Sequence, residues 1–101
     1  MTNLEMIQAE YYKAVAKHPH FCDTFLSKLG GAKNLDVCLS ILRHGLNLDA
    51  SAQRVLDIEI LEALVEYNNG NLDACLTELA QCGAVILRMM EFVRKEKEAR
   101  Q

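Results

Sequence analysis

The sequence has little of what interrupts helices, and it lacks the marks of export or membrane insertion. Its 101 residues include one Pro, five Gly and no Trp, and long stretches without Pro or Gly favour helix. No apolar run approaches the ~20 residues that a membrane span requires. The N-terminus also lacks the basic region and apolar block of a signal peptide. These absences predict a soluble helical protein in the cytoplasm, with no membrane partner.

An excess of basic charge is also missing. The formal net charge is −3 and the sequence pI is about 5.5. A mildly acidic chain has no strong electrostatic reason to bind DNA or RNA as a polymer. Small phosphorylated ligands are still possible, because a metal ion can hold them.

The cysteines do not form a CxxC pair. The four are Cys22, Cys38, Cys75 and Cys82. We expect them to be buried small hydrophobic residues in a reducing compartment. The alternative is a zinc site from His18, His20 and Cys22, but that spacing spans a proline and lacks a second ligand pair.

Apolar residues instead recur at helical spacing along most of the chain. The pattern predicts helices at about 3–17, 35–44, 51–67 and 72–97, with a short helix at 23–29. Pro19 is expected to end the first helix and Gly45 the second. The Asn68-Asn69-Gly70-Asn71 turn predicts that the third and fourth helices form an antiparallel pair. The fold class is therefore all-α: one domain over residues 1–101, a four-helix bundle-like protomer with a charged tail at 94–101.

The third helix carries a stripe of like charge. Glu59, Glu62 and Glu66 fall within an arc of about 60° on an ideal helix. Solvent-exposed faces usually mix Lys and Arg with Glu, yet no basic residue occurs between Arg54 and Arg88. Because like charges at this spacing repel each other, the stripe suggests a bound cation.

The fourth helix offers Glu78 and Gln81, again three residues apart. Glu62 and Glu78 lie at nearly equal distances from the turn, so antiparallel packing would place them at similar heights. A carboxylate cluster between helices is relieved by protonation or by a hard divalent cation with oxygen ligands. The alternative is simpler: the glutamates are solvated surface residues, with Glu78 suiting the early turns of its helix.

The pattern Glu59-x-x-Glu62, fifteen residues, then Glu78-x-x-Gln81 resembles the ExxE and ExxD signature of the MazG-like, all-alpha nucleoside triphosphate pyrophosphohydrolases. The wider sequence is also similar to short phage and bacterial members, at Leu61–Leu64 through Gly70–Leu72, at Glu78–Gln81 and Ala84–Ile86, and at Lys17–Phe21 after the first helix. Gln81 stands where the family has its last aspartate. Ile58 stands where many members have a further glutamate.

This resemblance implies a Mg²⁺-dependent enzyme, with Mn²⁺ as a possible substitute, that splits a (deoxy)nucleoside triphosphate into monophosphate and pyrophosphate. It implies metal ligands at Glu59, Glu62, Glu78 and Gln81, and catalytic roles for Glu59 and Glu62. It also implies homodimers or tetramers. One carboxylate not fully used by the metal could act as general base.

Substrate contacts are less defined. Arg88 lies seven residues after Gln81 on the same helix face and could reach a phosphate; otherwise it is a surface or interface residue. His18 and Phe21 could stack on a base, or belong to a turn that buries the Phe21 ring. Two other functions remain open: a catalytically weakened helical module that binds a nucleotide or a protein, and a structural helical oligomer.

Overall fold

The first helix is defined by signals at both of its ends. The computed structural model describes residues 1–28 and 34–101, and α1 spans Asn3–Lys17. Thr2 accepts a hydrogen bond from the Glu5 amide, and the Glu5 carboxylate accepts one from the Thr2 amide, which is a capping box. The helix ends at His18, as predicted from Pro19, because the residue before proline avoids helical geometry.

The segment after α1 is not helical over residues 18–28, so the short helix predicted at 23–29 is wrong as far as Lys28; residue 29 lies outside the described residues. Asp23 does not cap a helix there. Its carboxylate instead lies 2.9 Å from His20 Nε2. Phe25 stacks on Tyr67 with ring centroids 4.3 Å apart, so this segment is held against the end of the third helix.

The second helix, α2, spans Leu35–Leu46 and continues past Gly45, where we predicted its end. A Cβ atom at position 45 would lie 2.5 Å from Nη1 of Arg54. Gly45 therefore serves close packing rather than helix termination.

The third helix, α3, spans Ala52–Asn68, with Ser51 accepting a hydrogen bond from the Arg54 amide as N-cap. Gly70 follows with φ 79°. The Gly70 amide donates to the Tyr67 carbonyl and the Asn71 amide to the Glu66 carbonyl. These two bonds form a Schellman motif, which ends the helix and turns the chain.

The fourth helix, α4, spans Leu72–Ala99 and so includes most of the predicted charged tail. It packs most closely against α3, with α2 on α3 and a weaker contact between α1 and α4. Arg94 makes that weaker contact through Asn3 and Met6. The predicted all-α architecture with paired third and fourth helices is confirmed, and no described residue lies in a strand.

The buried core is small and lies along α2, α3 and α4. Among the described residues it consists of Leu39, Ile58, Ala63, Cys75 and Cys82. Cys75 and Cys82 are buried as predicted, whereas Cys22 and Cys38 are exposed, so the prediction is wrong for that pair. The Phe21 ring is 91% exposed, which also excludes a turn that buries it within this chain.

None of the helices described here has the length and apolar character needed to cross a membrane.

Ala63 gives a direct test of the α3–α4 packing, because its side chain is completely buried. We predict that Ala63→Leu lowers the free energy of unfolding by about 1–3 kcal/mol, since a well-packed site cannot take the added carbons without strain. Urea denaturation measures the loss. Ala74→Leu, at an exposed position of α4, is the matched control and should be nearly neutral. Equal effects of the two substitutions would contradict this packing.

Candidate metal centre

Three carboxylates from α3 and α4 converge where the two helices pack together. One oxygen each from Glu59, Glu62 and Glu78 lies within 4.8 Å of the others. Glu59 and Glu62 occupy successive turns of α3, and the antiparallel pairing brings Glu78 of α4 to the same level. We call these three residues the carboxylate cluster. All three side chains are half-buried.

Gln81 lies against the same cluster. In the amide orientation that satisfies its hydrogen bonds, Nε2 donates to Glu78 Oε2 at 2.9 Å and to Glu59 Oε2 at 3.1 Å. The amide therefore links one carboxylate from each helix. The sequence spacing brings all four predicted positions to one place.

Arg43 supplies the cluster with a positive charge. Its Nη2 atom donates to Glu62 Oε1 at 3.0 Å, from the last turn of α2. The Glu62 side chain is 21% exposed while that of Arg43 is 57% exposed, so this ion pair opens toward solvent. Sequence reasoning missed Arg43, because its partner lies nineteen positions away and only the crossing of α2 over α3 brings them together.

Crowding of like charge affects the protonation of the cluster. Desolvation raises the pKa of Glu59, and Glu62 raises it further while Arg43 opposes the change. Desolvation also raises the pKa of Glu78, together with a hydrogen bond to Glu62 and repulsion from the other glutamates. Glu59 and Glu78 thus hold protons more tightly than ordinary surface glutamates do.

Two neighbours of the cluster differ in role. Glu66, the third residue of the predicted stripe, accepts a hydrogen bond from Asn71 Nδ2 at 2.9 Å and so supports the turn. Cys82 is buried beside the cluster. Desolvation, followed by repulsion from Glu59 and Glu78, raises the pKa of its thiol. This thiol therefore stays protonated and is a poor metal ligand.

Arg88 lines a groove next to the cluster, between the start of α3 and the middle of α4. The groove has a volume of about 310 Å³ and is mostly apolar, lined also by Val55, Val85 and Phe92. Val55 lies one helical turn before Glu59, and Val85 one turn after Gln81, so the groove and the cluster are neighbours. In the part of the chain described, Arg88 has no ion pair.

His18 and Phe21 lie elsewhere. They line a separate groove of about 710 Å³, which is formed by α1 and the residues directly after it, including Tyr11 and Val15. No lining residue of that groove comes from the helices that carry the cluster. The alternative zinc site also fails to form: among the described residues, His18, His20 and Cys22 make no group able to hold a metal.

Comparisons with protein-family models, with curated proteins and with solved structures give no match to this chain.

The raised pKa of Glu78 predicts the pH dependence of stability without divalent cations. A pKa raised above its unfolded value contributes stability at low pH, and this contribution is lost as pH rises through the folded pKa. Glu78→Gln removes a charge that the fold disfavours at neutral pH. We therefore predict that, in EDTA at about pH 7.5, the Glu78→Gln variant melts a few degrees above the wild type. At about pH 4 the two melting temperatures should be equal.

Glu91→Gln is the matched control, because Glu91 is an exposed residue of α4 outside the cluster. Its melting temperature should follow the wild type at both pH values. A Glu78→Gln protein less stable than the wild type at about pH 7.5 would show that the cluster stabilises the fold even when ionised.

Proposed function

We propose that this protein is a Mg²⁺-dependent nucleoside triphosphate pyrophosphohydrolase, which converts a nucleoside triphosphate to the monophosphate and pyrophosphate. One observation carries the proposal: Glu59, Glu62 and Glu78 converge, with the Gln81 amide against them. Carboxylate oxygens are ligands that Mg²⁺ accepts, and the Gln81 oxygen would become one after a half-turn of the amide, with substrate phosphates completing the shell.

The spacing of the cluster suits such an ion. Octahedral Mg²⁺ binds oxygens at about 2.1 Å, which separates neighbouring ligands by about 3 Å and opposite ones by about 4.2 Å. The carboxylate oxygens lie within 4.8 Å of one another, so small side-chain rotations would bring them to these distances. Manganese, which prefers similar ligands, is the expected substitute.

The ion would polarise a phosphoryl oxygen and lower the pKa of a bound water. The residues of the chain supply the rest. Glu59 would be the general base in this proposal, because its carboxylate lies beside Glu62 and Glu78 and is the one not needed to hold the ion. Glu62 and Glu78 hold the ion, and Glu62 orients Arg43.

Two guanidinium groups would receive the phosphates. Arg43 lies at the solvent-facing side of the cluster, and planar guanidinium groups bind phosphate through paired hydrogen bonds. Arg88 lies in the adjoining groove, whose apolar walls and exposed Phe92 ring suit the rest of a nucleotide. His18 and Phe21 stay predicted base contacts, from a groove separate from the cluster. The proposal places the enzyme in the cytoplasm.

Gln81 favours a second candidate function, a helical module that binds a nucleotide without hydrolysing it. An amide brings no negative charge, and in its hydrogen-bonded orientation Gln81 donates to Glu59 and Glu78 without a cation. Such a site would hold the metal more weakly than four carboxylates would.

The enzyme proposal predicts pyrophosphate release from at least one member of a panel of NTPs and dNTPs, in the presence of Mg²⁺ or Mn²⁺. Glu62→Gln should reduce the rate by more than about 100-fold, because it removes a metal ligand and the partner of Arg43. Glu91→Gln should retain full activity. Enzyme-coupled detection of pyrophosphate measures the rates.

The other outcomes separate the two functions. Absence of pyrophosphate release, combined with an increase in melting temperature on adding nucleotide, would favour the binding module. If neither metal nor nucleotide changes the melting temperature, both functions of this cluster are excluded.

Gln81→Asp tests whether position 81 belongs to a metal site. The new carboxylate would add a fourth negative charge, so in EDTA the variant should melt below the wild type. With Mg²⁺ it should bind the ion at least about tenfold more tightly, as charge attraction to a divalent cation increases. Isothermal titration calorimetry measures the affinity. An unchanged affinity for Mg²⁺ would place the ion away from Gln81.

A further inference from the structure

Arg43 is the counter-ion of the carboxylate cluster. Its Nη2 atom donates to Glu62 Oε1 at 3.0 Å, and its charge also opposes the rise in the pKa of Glu59. Among the described residues, no other basic side chain forms an ion pair with Glu59, Glu62 or Glu78. Three carboxylates therefore share one positive charge in this part of the chain.

The bond between Arg43 and Glu62 is easily broken. A guanidinium group has several N–H donors, yet Glu62 is the only hydrogen-bond partner of the Arg43 side chain among the described residues. That side chain is 57% exposed. Ion pairs that open to water contribute little to stability, because solvent screens the attraction and the side chains lose freedom. Arg43 can therefore leave Glu62 at small cost.

The backbone that carries Arg43 is held more firmly than its side chain. Arg43 lies in the last turn of α2, and Gly45 two residues later approaches α3 so closely that a Cβ atom would lie 2.5 Å from Nη1 of Arg54. Leu39, one turn before Arg43, is buried. A change of partner by Arg43 is therefore a rotation of its side chain, with α2 left in place.

Glu62 has two competing uses. In the proposed enzyme it ligates the divalent cation, whereas in the structure it binds Arg43. A carboxylate that shares its charge with a divalent cation attracts a guanidinium group less strongly. Because Arg43 lies at the solvent-facing side of the cluster, its released N–H groups can meet a phosphate, which guanidinium groups bind through paired hydrogen bonds.

We propose that Arg43 is an exchangeable counter-ion, which pairs with Glu62 in the cation-free protein and turns to the substrate phosphate when Glu62 ligates a divalent cation. This inference rests on the proposed function, because it requires a divalent cation at the cluster. Cation and phosphate then bind with positive coupling, and each raises the affinity for the other by the same factor.

Isothermal titration calorimetry of the full chain with Mg²⁺, with and without inorganic phosphate, tests the exchange. For the wild type, phosphate should raise the affinity for Mg²⁺ at least about fivefold. Arg43→Met removes the competing charge, so this variant should bind Mg²⁺ alone at least about threefold more tightly than the wild type. Phosphate should then add nothing further. Because Arg43 is exposed, helix content by circular dichroism should be retained.

Arg88→Met is the matched control, because it removes the same charge from the adjoining groove. Arg88 lies about 10 Å along α4 from Gln81, which is close to the screening length at about 0.1 M salt. The affinity of this variant for Mg²⁺ without phosphate should stay within about twofold of the wild type. An equal gain from the two substitutions would overturn the exchange, since the general charge around the cluster would then explain it.

A failure of the exchange differs from a failure of the proposed function. If the wild type binds Mg²⁺ and Arg43→Met binds it no more tightly, Arg43 is a fixed partner of Glu62 and the exchange is wrong, while the metal site stands. The exchange is equally excluded if phosphate leaves the affinity of the wild type for Mg²⁺ unchanged. If neither the wild type nor Arg43→Met binds Mg²⁺, the proposed function and the exchange both fail.

Discussion

The close pairing of α3 with α4 is the constraint on which the other features depend. Ala63 of α3 is completely buried, and the Schellman motif at Gly70 sets where the chain reverses. With the reversal fixed, the heights of residues on the two helices follow from the rise per residue. Glu62 and Glu78 are brought to one level by this geometry, so the cluster is a consequence of the pairing as much as of its own residues.

The pairing has an electrostatic cost. Two charges 4.8 Å apart, the upper limit of the separations in the cluster, repel by about 0.9–3.5 kcal/mol for effective dielectric constants between those of water and a protein surface. Arg43 offsets one charge, and the Gln81 amide donates to two of the carboxylates. Desolvation, together with the remaining repulsion, raises the pKa values of Glu59 and Glu78. A bound divalent cation would relieve that repulsion more completely than a proton, and this is the physical ground for the proposed metal site.

Local signals made much of this fold predictable. Pro19 and the Asn68-Asn69-Gly70-Asn71 turn act on the backbone within a few residues, and the helix ends that they predict are correct or nearly so. The helix end predicted at Gly45 was wrong for a physical reason. Glycine often ends helices, but here it leaves room for the Arg54 side chain, a contact that depends on tertiary packing. The helix predicted near Asp23 does not form, because a non-local contact, the stacking of Phe25 on Tyr67, holds this segment instead.

The same distinction applies to the site. Glu59, Glu62, Glu78 and Gln81 could be found because two helices and a short turn convert sequence spacing into position. Arg43 could not, because the crossing of α2 over α3 is set by packing that no local pattern encodes. The placement of His18 and Phe21 relative to the cluster could not be predicted for the same reason. They lie in a groove formed by α1 and the residues after it, and its position depends on how α1 packs.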